Sequence, residues 1–67
     1  MQDFGKRLYN VLIWKGITQT ELAKLINVNK TAVTQWIQGK TYPKLEKFCK
    51  ICKILNITPN YFLGYER

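Results

Sequence analysis

Helix-stopping residues recur along this chain at intervals too short for anything but brief helices. Gly16, Asn27, Gly39 and Asn56 each follow an apolar stretch, and each residue type accepts the left-handed conformation that closes a helix. Between these stops the apolar residues recur at three- and four-residue steps, and period-two alternation is nearly absent. The chain therefore reads as all-α, with five short helices in one compact bundle and residues 1–67 forming a single domain.

The first helix is expected near residues 3–15, with Phe4, Leu8, Val11 and Leu12 on one stripe. Thr18-Gln19-Thr20-Glu21 has the pattern of a capping box and starts a second helix, about 18–26, with Leu22, Leu25 and Ile26 turned inward. Asn29 is placed to cap a third helix from Lys30 to Gln38. Its apolar residues Ala32, Val33, Trp36 and Ile37 leave Lys30, Thr31, Thr34 and Gln35 outside. After a loop at 40–43, a fourth helix over 44–55 is expected to bury Leu45, Phe48, Cys49, Cys52 and Leu55. Thr58-Pro59 opens the last helix, with a capping hydroxyl and a proline at the first helical position.

Composition narrows what such a bundle does. A chain of 67 residues buries only about 60% of the surface its unfolded form exposes, so every apolar position matters. Eleven Lys plus Arg against four Asp plus Glu give a net charge of +7, which favours a polyanionic partner. No His and no Ser occur, so a Ser-His-Asp triad, a Cys-His pair and any His-containing zinc site are excluded, and catalysis has little support. Cys49 and Cys52 form a CxxC without two further ligands, and no strand precedes it as a redox motif would want. They read as small apolar residues on one helical face, with no metal or cofactor expected. Reduced thiols and the lack of a cleavable signal suggest the cytoplasm, and the longest apolar run, Val11 to Trp14, is too short to span a bilayer.

Two short helices joined by a three- or four-residue turn, the second with a small polar outer face, suit DNA. A helix fits the major groove, and its N-terminal residues reach base edges while the preceding helix crosses the backbone. From Gly16 through Gly39 the chain resembles the phage repressor/Cro (Xre-like) helix-turn-helix family. The resemblance continues through Pro43, the Leu45 to Leu55 helix and the Thr58 to Leu63 turn. It implies a lambda-repressor-like fold whose second and third helices form the helix-turn-helix, and it implies double-stranded DNA as partner.

By that resemblance, Lys30, Thr31, Thr34 and Gln35 are base-reading positions. Gln19 contacts a phosphate and braces a side chain of the recognition helix, while Asn29, Gln38 and Lys40 meet the backbone. The residues themselves agree chemically: Lys pairs with guanine, the Thr methyl meets the thymine methyl, and Gln pairs with adenine. Gln19 and Asn29 also have a plainer reading as helix-start residues, and Thr31, Thr34 and Gln35 as solvated side chains. Lys44 and Lys47 fall in the expected first turn of the fourth helix, where the macrodipole favours acids, so an arriving phosphate would compensate. The alternative is two ordinary exposed lysines. Near the last helix, Thr58, Pro59, Tyr61 and Tyr65 are candidates for a two-fold contact.

The chain departs from the family at Leu12 and Ile37, where relatives often carry an Arg–Glu pair. Losing both charges together is the tolerable way to lose them, because a lone buried charge costs about 3–5 kcal/mol. Tyr9, Ile13 and Trp14 lie off the buried stripe, and either pack on the C-terminal helix or form an association surface, as does Ile54. The expected function is sequence-specific DNA-binding regulation, repressing as a homodimer on a two-fold operator, with no membrane and no small-molecule ligand. The rival from another class is a protein-interaction module of antitoxin or adaptor type. A redox-gated regulator working through Cys49 and Cys52 is a second rival.

Overall fold

The computed structural model describes residues 4–63, of which the side chain of Leu63 is not described. Five helices follow one another: α1 (Phe4–Lys15), α2 (Gln19–Ile26), α3 (Lys30–Gln38), α4 (Leu45–Leu55) and α5 (Pro59–Leu63). α1 lies against α3, α4 and α5, and α2 packs on α3 and α4. The expected boundaries hold to within a residue, because local signals set them. Thr18 caps α2 reciprocally: its hydroxyl accepts from the Glu21 N–H at 3.1 Å, and the Glu21 carboxylate accepts from the Thr18 N–H at 3.0 Å. Those bonds hold the Glu21 carboxyl below its ordinary value, the backbone bond from Thr18 contributing most.

The first four helices end in the same way. Gly16, Asn27, Gly39 and Asn56 all have positive φ, between 55° and 79°. The next residue then donates back across the turn: Ile17 to Leu12 O at 2.9 Å, Val28 to Ala23 O at 2.9 Å, Lys40 to Gln35 O at 3.0 Å, Ile57 to Cys52 O at 3.0 Å. This is the Schellman arrangement, in which an apolar residue after the left-handed one seals the helix end. Ile17, Val28 and Ile57 do this, each packing against the core. Lys40 does not; it stays exposed.

The core is wholly apolar among the described residues. Its centre joins α1, α4 and α5 through three rings, with centroids 5.3 Å apart for Phe4–Phe62 and 5.9 Å for Phe4–Phe48 and Phe48–Phe62. Tilted and edge-on packing of this kind adds about 0.5–1.5 kcal/mol per pair beyond area burial. Leu12 is buried and Ile37 packs on the core, so the apolar replacement of the family's ion pair is accommodated.

Three expected burials fail. Leu25 is 56% exposed and Leu45 76% exposed, and Cys49 is exposed, while Ala23 and Ile51 are buried instead. The inward stripe of α2 runs through Leu22, Ala23 and Ile26, and that of α4 through Phe48, Ile51, Cys52 and Leu55. Leu25 and Cys49 each sit about 100° off their stripe. Leu45 shares the face of Cys52, seven residues on, but as the first residue of α4 it stays exposed. Of the two alternatives left open for Tyr9, Ile13 and Trp14, their exposures of 46%, 62% and 73% favour an exposed apolar surface. Besides Phe4, Arg7 of α1 also reaches α5, its guanidinium lying over the Tyr61 ring at 5.2 Å.

Candidate nucleic-acid interface

α2 and α3 are separated by three residues, Asn27, Val28 and Asn29, so the left-handed Asn27 turns the chain directly from one helix into the next. Val33 and Trp36 anchor α3 in the core. The opposite face of α3 forms one wall of an open groove of about 400 Å³, lined by Lys30, Thr31, Thr34, Gln35, Gln38 and Lys40. All six were expected at the interface from sequence, and the structure brings them together on a single surface. No acidic residue occurs in α3, whose sequence is KTAVTQWIQ. Lys30 opens α3, and Lys40 follows the left-handed Gly39 that closes it, so both lysines line the groove from the two ends of the helix.

Gln19 is fixed from within. The Thr34 hydroxyl donates to Gln19 Oε1 at 2.9 Å, tying the middle of α3 to the first residue of α2. Gln19 was expected to brace a side chain of the following helix, and the side chain it holds is Thr34. With its oxygen occupied, the Gln19 side chain keeps its two N–H donors. The Thr34 hydroxyl hydrogen is likewise committed, so toward the groove Thr34 offers lone pairs and a methyl group.

Other positions differ from expectation. Asn29 is the residue before α3, with φ −72° and ψ 147°, but its side chain makes no capping bond, so the first turn of α3 lacks a side-chain cap. Lys44 precedes α4 in extended conformation, without a capping bond, and so stands outside the first turn. Lys47 has a different partner: its half-buried ammonium donates to the Ile26 carbonyl at 3.1 Å, at the C-terminus of α2. That placement suits a helix end, where carbonyls lack partners and the dipole favours a cation. Nothing in the sequence signalled it, because Lys47 and Ile26 are 21 residues apart. Of the candidate two-fold contacts, Thr58 and Pro59 are exposed and Tyr61 is half-buried; Tyr65 lies outside the described residues.

Two short helices with a tight left-handed turn between them, the second carrying a polar and acid-free groove, define a helix-turn-helix DNA-binding module. The chain belongs to the helix-turn-helix family, whose model matches residues 8–62. It is also 33% identical over 64 residues to a protein of Enterococcus faecalis described as the HTH-type transcriptional activator BcrR. That match covers 96% of this chain and 31% of the relative, so the chain spans about a third of the length of that protein. The family is one of DNA-binding transcription regulators, and binding rather than catalysis is its work. No described helix is long and apolar enough to cross a membrane. Among the described residues, no cluster of three or more His, Cys, Asp or Glu could hold a metal ion.

Proposed function

We propose that the protein regulates transcription in the cytoplasm by inserting α3 into the major groove of a two-fold operator, as a homodimer. Lys30, Thr31, Thr34 and Gln35 read base edges in this account, and Gln19, Asn29, Gln38, Lys40 and Lys44 meet phosphates. Lys47 leaves that set, because its ammonium is engaged by Ile26. The observation that carries the reading is the acid-free groove in which six expected residues meet.

Thr34 narrows the chemistry further. With its hydrogen given to Gln19, its oxygen accepts from adenine N6 or cytosine N4, and its methyl packs on thymine, whereas guanine O6 and N7 offer it nothing. Guanine falls to Lys30 instead. Two recognition helices one DNA turn apart, about 34 Å, would supply the affinity that one small domain lacks. A dimer seated over a promoter excludes polymerase and represses; seated beside it, the same dimer is free to recruit, and the similar protein from Enterococcus faecalis is described as an activator.

The test is selection from a random duplex library with the purified protein. Recovery of a two-fold motif with half-sites about one turn apart supports the reading; recovery of no motif at low salt sinks it. A second reading, a protein-interaction module, draws on the exposed Tyr9, Ile13 and Trp14. It predicts that the same selection recovers no motif.

A further inference from the structure

α1 touches the recognition helix at one point that has no side chain. Gly5 is buried, and a Cβ built on it would fall 2.5 Å from the Trp36 carbonyl oxygen and closer still to that of Ile37. Both carbonyls belong to the last turn of α3, which ends at Gln38 and is capped by Gly39. Backbone atoms inside a helix cannot swing aside as a flexible side chain would. Ordinary contact begins at 3.4 Å, so any residue larger than glycine must part the two helices by about 1 Å.

We propose that Gly5 is a positioning residue for DNA reading, setting the pitch at which α3 presents its groove. The inference rests on the reading of α3 as the helix that enters DNA. Its logic is that of a lever. The Thr34–Gln19 bond holds the middle of α3 to α2, so pushing at Ile37 tilts α3 about Thr34 and does not translate it evenly. Gln38 and Lys40 at one end of the groove and Lys30 and Thr31 at the other then move in opposite senses. Hydrogen bonds to base edges and phosphates are made within a window of about 0.5 Å, and a tilt of this size leaves it. Gly5 also lies outside residues 8–62, the part of the chain that the family model matches.

The experiment compares Gly5→Ala with Val11→Ala, a truncation in the same helix at a fully buried position that makes room instead of removing it. Affinity is measured by fluorescence anisotropy for the selected duplex and for a scrambled duplex, at a temperature where thermal melts show both variants folded. Gly5→Ala is expected to lower the ratio of specific to non-specific affinity about ten-fold, the loss of one good base contact; Val11→Ala keeps the ratio of the parent protein. An unchanged ratio in Gly5→Ala, or an equal fall in both variants, overturns the inference alone. A parent protein with no preferred duplex overturns the DNA reading and the inference with it. If Gly5→Ala does not fold unaided, the comparison is made in about 1 M trimethylamine N-oxide, which favours compact states. A chain that stays unfolded there also overturns the inference, since Gly5 then serves folding only.

Discussion

The Lys47 ammonium donates to the Ile26 carbonyl, 3.1 Å away, so a cation from α4 closes the C-terminus of α2 beside the turn into the recognition helix. Of the lysines first counted toward the DNA face, this one is held inside the fold. Lys47→Met keeps the aliphatic stem and removes the donor. It is expected to cost about 1 kcal/mol, a value discounted for partial exposure, and to lower Tm by about 4–8 °C. Thermal melts check this, and the salt dependence of DNA binding should not move.

Lys30→Ala and Lys40→Ala are expected to behave the other way. Each lysine flanks the groove with no carboxylate partner among the described residues. Removing one phosphate contact lowers the slope of log affinity against log salt by about 1. Titrations over a range of salt separate the two lysines: a phosphate lysine weakens all duplexes alike, a base-reading one weakens the selected duplex most. Stability should stay within about 0.5 kcal/mol of the parent.

Thr34→Val preserves the methyl group and deletes the hydroxyl. Affinity for the selected duplex is expected to fall about five- to twenty-fold, the worth of roughly 1–2 kcal/mol. Single-base variants of the duplex should show that preference for a thymine methyl survives while discrimination of adenine or cytosine is lost. Equal affinity for all variants by both proteins would remove Thr34 from the readers.

Acid should loosen the start of α2. The Glu21 carboxyl is held below its ordinary value by bonds from Thr18, so the folded chain binds that proton less readily than the unfolded one. Its contribution is present above the ordinary carboxylate value near 4.5 and is lost as pH falls through the depressed folded value. Tm measured from about pH 6 down to pH 3 should decline less steeply in Glu21→Gln than in the parent.

Burial in the fold makes a prediction that residue type alone would get wrong. Ile51→Ala, at a fully buried site, is expected to cost about 2–5 kcal/mol, enough to unfold much of a domain this small. Leu25→Ala and Leu45→Ala should each stay within about 0.5 kcal/mol. Denaturant titrations resolve the difference.

The same residues show what could be read in advance. Helix ends were legible because their causes are local: Thr18 with Glu21, and a left-handed Asn or Gly at each stop. The groove was legible because its six residues follow from one short segment whose apolar side had only one way to face. The exposure of Leu25, Leu45 and Cys49 is not legible, because an apolar residue at a helix edge or end carries no mark of where the neighbouring helix lies. The bond from Lys47 to Ile26 and the close approach at Gly5 were invisible for a related reason. Each is a meeting of segments distant in sequence, and neither residue type advertises it.

Lys40 stands where three other helix ends place Ile17, Val28 and Ile57. By the logic of that turn an apolar residue would hold the end of α3 more firmly. The domain is thus less stable than it need be at one chosen place, the rim of the groove. Lys40→Ile is expected to raise stability by about 0.5 kcal/mol or more while weakening DNA binding, a stability gained against function. A more heat-resistant variant that still bound DNA fully would show that the lysine there serves no contact at all.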